Sequence, residues 1–209
     1  MTQRPSSRRW LDRHFRDEYV KRAQRDGYRS RAAYKLLEIQ ERDRLLRPGL
    51  RVVDLGAAPG GWTQVAAHLV GPSGRVVGFD LLPIAPVAGV ILIQGDFRES
   101  VPLAELRSAL DGAPVDLVLS DLAPNVSGIA AVDQPRAIYL CELALDLCRE
   151  VLKPGGALIV KVFQGVGFDP YLSDLRAAFR RVASRKPKAS RAESREVYLV
   201  AQGFKAERS

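Results

Sequence analysis

The sequence predicts an α/β fold with a doubly wound, mostly parallel sheet and helices on both faces. From Arg51 onward, short apolar runs alternate with segments of helical spacing. Each apolar run is continuous, which is typical of parallel strands that are covered on both faces. At 209 residues the chain is long enough to bury one core, so we expect a single domain over residues 1–209.

The predicted elements follow one another along the chain. The spacing of Leu11, Phe15 and Tyr19 indicates an amphipathic helix, and Ser30 is a candidate N-cap for a second helix that ends before Pro48. The predicted strands are RVVDLG, RVVGFD, VILIQGD, VDLVLSD, ALIVKVF and REVYLVAQGF. The predicted helices between them are GWTQVAAHLV, PLAELRSAL and DQPRAIYLCELALDLCREVL. GPSG and KPGG are expected to form turns, and SRKPKAS a basic loop.

Charge is unevenly distributed along the chain. The net charge is +8, of which residues 1–50 carry +7, residues 176–209 carry +7, and the middle carries −6. Basic ends suit a polyanionic partner, because Lys and Arg that neutralise phosphates release counterions. A solubilising surface with mobile basic tails is the alternative. We favour nucleic acid, with residues 1–30 as a basic extension that contacts it. The basic residues that could hold phosphates are Arg8, Arg9, Arg13, Arg16, Lys21, Arg22, Arg25, Arg29, Arg31, Arg185, Lys186, Lys188, Arg191 and Arg195.

Other classes of protein and site are not expected. No apolar run approaches the roughly 20 residues of a membrane span, and the N-terminus lacks a signal-peptide core. We therefore expect a cytoplasmic protein without a membrane partner. Cys141 and Cys148 lie on one face of a predicted helix, two turns apart, so we expect core thiols and no disulfide. His14 and His68 lack metal-ligand spacing, and no metal site is predicted.

The segment VVDLGAAPGGWTQVA joins the first strand to a helix through a glycine-rich turn. Gly56, Gly60 and Gly61 let the backbone turn sharply and approach a ligand, and the start of the helix offers free N–H groups. In an open parallel sheet, ligands bind beyond the carboxyl ends of the strands. The turn therefore predicts a nucleotide-like ligand, with a packing role for the glycines as the alternative.

Three predicted strands end in an aspartate at this edge of the sheet. Asp80 lies 20 residues beyond Gly60, which is the offset of a carboxylate that binds ribose hydroxyls. Asp96 and Asp121 end the next two strands, although Asp is common at strand ends and chance is the alternative. The glycine order is not G-x-G-x-x-G, so no second glycine lies where a pyrophosphate approaches. A ligand without phosphates, such as S-adenosylmethionine, therefore fits better than NAD.

Five blocks spread over nearly the whole chain carry a specific family resemblance. SRAAYKL, VVDLGAAPGGWTQVA, SDLAPNVSG, LIVKVFQG and SREVYLVAQGF resemble the FtsJ-type ribosomal RNA ribose 2'-O-methyltransferases. The resemblance implies a Rossmann-like methyltransferase fold, S-adenosylmethionine as the methyl donor, and a Lys-Asp-Lys-Glu catalytic set. The matching positions are Lys35, Asp121, Lys161 and Glu196.

The same resemblance assigns residues to the cofactor. It implies that Gly60 and Trp62 line the methionine and adenosine region. It also implies that Asp80 binds the ribose and Asp96 the adenine, and that Asp121 borders the methyl-donor site.

Elementary chemistry gives Lys161 a role at the acceptor hydroxyl but does not decide whether it is the general base. Methyl transfer from a sulfonium is an in-line displacement, so catalysis can come from holding a ribose hydroxyl against the methyl carbon. The resemblance makes Lys161, which lies in the apolar run ALIVKVF, the general base. Because a free lysine is protonated at neutral pH, this role requires burial or a nearby cation such as Lys35, whereas Asp121 and Glu196 would oppose it. Alternatively, Lys161 orients the hydroxyl or stabilises its developing anion.

Ribose oxygen in RNA is the predicted methyl acceptor. DLAPN replaces the Asn/Asp-Pro-Pro-aromatic motif of amino-group methylases, and neither cysteine follows a proline as in cytosine C5 methylases. RNA is the acceptor because only RNA offers a 2'-hydroxyl. The resemblance implies a uridine of the 23S rRNA A loop in the assembled 50S ribosomal subunit, and a monomeric enzyme. The alternatives are a tRNA anticodon loop as substrate, a non-catalytic RNA-binding assembly factor, and a nicotinamide oxidoreductase.

Overall fold

A computed structural model describes residues 17–96, 98–125, 127–191 and 193–205. Within these ranges seven strands form one sheet in the order β3-β2-β1-β4-β5-β7-β6. The strands are β1 (Arg51–Leu55), β2 (Arg75–Asp80), β3 (Val90–Gln94), β4 (Val115–Ser120), β5 (Leu152–Phe163), β6 (Phe179–Arg185) and β7 (Glu196–Phe204). The helices are α1 (Glu18–Asp26), α2 (Ala33–Asp43), α3 (Gly61–Val70), α4 (Ser100–Ala109), α5 (Ala130–Val151) and α6 (Phe168–Ala178).

The strand order makes the sheet doubly wound. Neighbouring strands from β3 through β5 are parallel, whereas β7 runs antiparallel to both β5 and β6. The chain builds the sheet outward from β1 to β3 and then returns to add β4 on the other side of β1. This reversal leaves a crevice beyond the carboxyl ends of β1 and β4, where ligands bind in such folds. The predicted α/β fold, with a mostly parallel sheet, is confirmed.

Helices cover both faces of the sheet because each strand presents apolar side chains to both sides. Leu36 of α2 and Val65 of α3 belong to the core on one face. Leu106 of α4, Leu145 of α5 and Leu175 of α6 belong to the core on the other face. Among the described residues, no helix is both long enough and apolar enough to cross a membrane.

Both cysteines are free thiols buried in the second of these cores, as predicted. Burial raises the pKa of Cys141 to about 12, because an apolar environment disfavours the thiolate. The Cys141 Sγ–H lies 3.2 Å from the backbone oxygen of Lys161, which links α5 to β5. The thiol is therefore a packing group rather than a nucleophile.

The first described helix covers only part of the predicted N-terminal helix. Leu11 and Phe15 lie outside the described residues. Helix α1 begins at Glu18, where the Asp17 carboxylate accepts a hydrogen bond from the Tyr19 N–H at 3.0 Å. An aspartate in this position satisfies a backbone donor that would otherwise lack a partner at the helix start.

The prediction that Ser30 caps α2 is wrong. Helix α2 begins at Ala33 and has no side-chain cap, and the backbone oxygen of Ser30 accepts from the Ala33 N–H. The Ser30 hydroxyl faces Gly61 so closely that any Cβ on Gly61 would overlap it. Contact with the glycine turn therefore takes the place of a cap.

Two elements, the start of one loop and one turn differ from the sequence prediction. Helix α6 and strand β6 were not expected, and the predicted basic loop begins inside β6, where Ser184 and Arg185 pair with β7. The reason is that FRRVASR is an edge strand with a broken apolar pattern. KPGG is not a turn before β5 but a bulge within it, because the pairing with β4 shifts between Leu152 and Ala157.

Candidate active site

A cavity of about 530 Å³ opens beyond the carboxyl ends of β1, β2, β3 and β4. It lies at the reversal of strand order between β1 and β4, and residues of α5 close one side. Most of its wall is apolar. The charged residues in the lining are Asp80, Asp96, Arg98, Asp121 and Arg136. An apolar cavity with a few placed polar groups is typical of a small-molecule site.

The glycine turn between β1 and α3 holds the strand ends together. The backbone N–H groups of Gly56 and Ala57 donate to the backbone oxygen of Phe79 at 2.9 and 3.2 Å. Gly56 has a φ of +75°, and a Cβ there would lie 3.1 Å from the backbone nitrogen of Leu122. Glycine is therefore required for the turn to pack against the segment that follows β4.

The Asp80 carboxylate is fixed in the cavity wall by backbone donors from two loops. One oxygen accepts from the Ala58 N–H and the other from the Leu82 N–H, each at 2.9 Å. These contacts leave further lone pairs on both oxygens. The carboxylate is thus oriented and can still accept hydrogen bonds from a ligand.

Asp96 lies at the end of β3 and is paired with Arg98. The Arg98 Nε contacts both carboxylate oxygens, at 2.8 and 2.9 Å, and its Nη2 contacts Oδ2. The backbone N–H of Arg98 also donates to Oδ1 at 3.0 Å. Hydrogen bonding by the Arg98 side chain lowers the pKa of Asp96. Asp96 therefore presents an ionised carboxylate to the cavity.

The four predicted catalytic residues come together at one edge of the sheet. Because β7 runs antiparallel, its first residue, Glu196, lies at the edge where β4 and β5 end. Asp121 directly follows β4, Lys161 lies near the end of β5, and Lys35 reaches this edge from α2. Four segments distant in sequence thus contribute to one cluster.

Ion pairs and hydrogen bonds connect the cluster into a continuous chain. The Lys35 amine pairs with the Glu196 carboxylate at 2.6 Å. The Lys161 amine lies 3.1 Å from Asp121 Oδ1 and donates to the Asp121 backbone oxygen at 2.7 Å. Lys161 and Glu196 are both buried. Both acceptors of the Lys161 amine belong to Asp121, which lines the cavity, whereas Lys161 itself is not part of the lining.

Tyr198 joins the two ion pairs and was not among the predicted site residues. Its hydroxyl accepts from the Lys35 amine at 3.1 Å and donates to Asp121 Oδ1 at 2.8 Å. Burial raises the Tyr198 pKa well above its usual value, so the hydroxyl stays neutral and keeps its proton. Its position two residues after Glu196 places both side chains on one face of β7, a signal the sequence contained.

Gly60 and Trp62 support the turn but are not part of the cavity lining. Gly60 precedes α3 with a φ of +113°, and Arg29 packs over it. The Trp62 indole N–H donates to the backbone oxygen of Ala32 at 2.7 Å, and its ring lies 5.5 Å from the Tyr198 ring. Contact of Gly60 and Trp62 with a cofactor stays a prediction.

Asp54 is a buried carboxylate that the sequence analysis did not single out. Its Oδ2 accepts from the Thr63 hydroxyl at 2.6 Å, while its Oδ1 has no hydrogen-bond partner among the described residues. Burial raises the Asp54 pKa to about 7, and the negative charges of Asp121 and Asp80 add to this effect. Asp54 is therefore poised to change its charge near neutral pH.

Comparison with known protein families agrees with this geometry. The model of the FtsJ-like methyltransferase family matches residues 28–204. The chain belongs to this family. The match covers every strand of the sheet and all four residues of the connected cluster, so the cavity and the cluster lie inside the family domain.

Similar proteins carry ribosomal RNA methyltransferase names. The chain is 63% identical over 201 residues to ribosomal RNA large subunit methyltransferase E of Alkalilimnicola ehrlichii, covering 96% of each chain. It is 58% identical over 207 residues to the protein of that name from Pseudomonas aeruginosa, covering 99% of this chain and 100% of the other. A solved structure of a candidate ribosomal RNA methyltransferase from Plasmodium falciparum has a TM-score of 0.74 and 28% identity, covering 86% of this chain and 100% of that one.

Proposed function

We propose that this FtsJ-like methyltransferase transfers a methyl group from S-adenosylmethionine to a ribose 2'-hydroxyl of large-subunit ribosomal RNA. The names of its relatives support the substrate class. The observation that carries the proposal is the connected cluster of Lys35, Glu196, Tyr198, Asp121 and Lys161 beside the cavity. It directs a buried amine to the place where a small ligand and an acceptor could meet.

The cavity has the chemistry that S-adenosylmethionine requires. Asp80 offers carboxylate lone pairs suited to ribose hydroxyls, and Asp96 offers them to the amino group of an adenine. Gly56 leaves room where any Cβ would press on the segment after β4. The bound cofactor would supply an electrophilic methyl group on a sulfonium. Asp121 borders the place for this group, with Gly60 and Trp62 supporting the turn beside it.

Lys161 is proposed to act on the acceptor hydroxyl. As the uncharged amine, Lys161 Nζ accepts the proton of the ribose hydroxyl and holds the oxygen in line with the methyl group. The proton passes to Nζ as the new oxygen–carbon bond forms, and Lys161 ends the step as an ammonium paired with Asp121. Asp121 fixes the amine through two contacts. Tyr198 and Lys35 hold the Asp121 carboxylate from the other side, and Glu196 neutralises Lys35. After the transfer the cluster holds two positive and two negative groups, because Lys161 has gained its charge with the proton.

A continuous basic surface near the cluster is proposed to bind the RNA backbone. The loop that follows β6 is tied to α2, because the Glu38 carboxylate accepts from the N–H groups of Lys188 and Ala189 at 2.6 and 2.9 Å. Ala189 also packs against Ala23 of α1. Basic segments from the two ends of the chain thus form one surface. Its exposed members are Lys21, Arg22, Arg25, Lys186, Lys188, Arg191 and Arg195.

Three of the arginines predicted to hold phosphates are only partly exposed and are engaged within the protein. Arg29 donates to the backbone oxygens of Ala85 and Pro86. Arg31 pairs with Asp17, and Arg185 forms a two-point ion pair with Asp43. The residues proposed to contact phosphate are therefore the exposed ones, together with the N-terminal arginines that lie outside the described residues. Of the exposed residues, Arg22 and Arg25 also pair with Asp26, and Lys186 also donates to two backbone oxygens.

The finer target is a uridine of the 23S rRNA A loop in the assembled 50S subunit. We propose that a monomer acts on it in the cytoplasm, where ribosomal subunits are assembled. The test is transfer of tritiated methyl from S-adenosylmethionine to 50S subunits from cells that lack the enzyme, in parallel with purified tRNA. The proposal requires label in one 2'-O-methyluridine of 23S rRNA. Label in tRNA alone, or in a base, would refute it.

A further inference from the structure

The Asp96–Arg98 pair is placed to read the base of the cofactor. Both residues line the cavity, at the end of β3, and the Tyr139 side chain of α5 also interacts with the Arg98 side chain. Asp96 is largely shielded from solvent, with 17% of its side chain exposed, whereas Arg98 is half exposed at 52%. A carboxylate that faces a ligand cavity is therefore held by an arginine from its own loop.

The contacts with Arg98 limit the hydrogen bonds that the Asp96 carboxylate can accept from a ligand. A carboxylate offers about four lone-pair positions. The Arg98 guanidinium fork engages both oxygens, and the Arg98 backbone N–H takes a further position on Oδ1. Three N–H groups therefore occupy the carboxylate, with the Nε–H shared between its two oxygens. At most one acceptor position is left for a ligand, and only a donor can fill it.

The guanidinium also fixes the charge and the orientation of the carboxylate. Partial burial alone would raise the pKa of Asp96 above its ordinary value. The Arg98 contacts oppose that burial effect and lower the Asp96 pKa. A two-point fork is more directional than a point charge, so the carboxylate plane is also fixed.

We propose that Arg98 is a specificity-determining residue that makes the site select adenine over hypoxanthine by holding Asp96 as a pure hydrogen-bond acceptor. The inference rests on the proposed placement of S-adenosylmethionine in this cavity. Adenine presents an amino donor at position 6, whereas hypoxanthine presents a carbonyl oxygen there. An ionised, fixed carboxylate attracts the first and repels the second.

The test measures binding rather than turnover. Dissociation constants of S-adenosylhomocysteine and its hypoxanthine analogue are determined by titration calorimetry for the wild-type protein, Arg98→Met and Arg98→Lys. The matched control is Arg107→Met, because Arg107 of α4 pairs with Glu150 at 2.7 Å on the surface and does not line the cavity. Thermal unfolding without ligand establishes that each variant is folded.

We expect the wild type and the control to bind the adenine ligand at least about tenfold more tightly than the hypoxanthine ligand. Arg98→Met should weaken adenine binding and reduce this ratio to about threefold or less, with Arg98→Lys between the two. If Arg98 had a merely structural role, Arg98→Met would weaken the binding of both ligands equally and leave the ratio of their dissociation constants unchanged.

The opposite outcomes separate this inference from the proposed function. An unchanged ratio in Arg98→Met, or tighter adenine binding that shows Arg98 competing with the base, would overturn the role of Arg98 while leaving the cofactor site intact. Failure of the wild type to bind S-adenosylhomocysteine at all would overturn the proposed cofactor site and this inference with it.

Discussion

Lys161 owes its orientation to a single neighbour. Both of its acceptors, the carboxylate oxygen and the backbone oxygen, belong to Asp121, so the amine follows any movement of the segment after β4. A lysine at this depth has lost most of its hydration, and 8% of the residue stays exposed. The amine therefore has little contact with bulk solvent and lies beside Asp121, which lines the cavity.

Lys161→Met should greatly reduce methyl transfer while leaving cofactor affinity nearly unchanged. The thioether keeps the length and apolar character of the side chain but cannot take a proton or hold a hydroxyl. Methyl transfer in a single turnover should fall by about 10³-fold, and the dissociation constant of S-adenosylhomocysteine should change by less than about twofold. Lys153→Met is the control, because Lys153 lies on the same strand and pairs with Asp116 outside the cavity. Full activity of Lys161→Met would exclude Lys161 from the mechanism.

Asp54 should make stability depend on pH. Its folded-state pKa, about 7, lies above the ordinary value of 3.8, so the folded protein binds more protons than the unfolded chain between these values. The free energy of unfolding therefore falls as pH rises through this window, by about 4 kcal/mol in all, and is constant above it. Asp54→Asn keeps an acceptor for Thr63 and should flatten this dependence in urea titrations from about pH 4 to pH 8. An equal slope in the variant would contradict the assignment.

At the scale of elements, the end of α2 is fastened to the end of β6 by a buried ion pair. Arg185 Nε and Nη2 contact the two oxygens of Asp43 at 2.8 and 2.6 Å, and the Asp43 side chain is only 5% exposed. This contact holds the helix that carries Lys35 against the strand that leads into the basic loop. It therefore serves both the catalytic cluster and the proposed RNA surface.

Removing one partner of this ion pair should lower the free energy of unfolding more than removing both partners. Arg185→Met leaves the Asp43 carboxylate buried without a countercharge, and we expect a loss of about 3 kcal/mol in unfolding free energy. Adding Asp43→Asn should restore part of the loss. Arg149→Met is the surface control, because Arg149 pairs with the exposed Asp146. This substitution should lower the unfolding free energy by less than about 0.5 kcal/mol. Urea unfolding measures all four proteins, and a single variant as mild as the control would refute the argument.

The elements that the sequence predicted are those with strong local patterns. Continuous apolar runs located β1 to β5 and β7. Most of these strands are buried on both faces, whereas in the edge strand β3 only Ile93 is buried. Strand β6 was not predicted because arginines and serine interrupt its apolar residues, so FRRVASR has no continuous apolar run. Helix α6 could have been found, since Phe168, Tyr171, Leu172 and Leu175 have helical spacing after a glycine. The Ser30 prediction failed because the helix begins only at Ala33 and the Ser30 hydroxyl lies against Gly61, a tertiary contact that local sequence does not reveal.

On the scale of the whole molecule, one group of exposed basic residues lies beside the catalytic cluster. The exposed basic residues of α1 and of the loop before β7 lie next to the elements that carry Lys35 and Glu196. A second group of exposed arginines, Arg47, Arg180 and Arg181, lines a separate cavity at the other end of the strands. Substitutions in the two groups can therefore distinguish the effect of where the basic residues lie from the effect of total charge on RNA binding.

Neutralising the first group should reduce the salt dependence of RNA binding. The triple variant Lys188→Gln, Arg191→Gln, Arg195→Gln should lower the magnitude of the slope of log K against log salt by about 2, because each lost phosphate contact removes about 0.7. The control neutralises three charges at the other end of the strands, with Arg47→Gln, Arg180→Gln and Arg181→Gln. Equal slopes for the two variants would show that total charge, rather than this surface, governs binding.

The family motifs predicted which residues form the catalytic cluster, but not the contacts that connect them. Lys35, Asp121, Lys161 and Glu196 could be named from the sequence because their motifs are specific. The bridging hydroxyl of Tyr198 and the buried charge of Asp54 depend on the packing of β7 and β1 in three dimensions. The pairing of Asp96 with Arg98 is likewise a matter of rotamers, which no spacing rule determines.

A crystal structure with S-adenosylhomocysteine tests the central claim most directly. The account predicts that the ligand fills the cavity beyond β1 and β4, with its base at Asp96, its ribose at Asp80 and its sulfur toward the Lys161 amine. A ligand bound elsewhere, or a sulfur that faces away from Lys161 with the amine still held by Asp121, would contradict it.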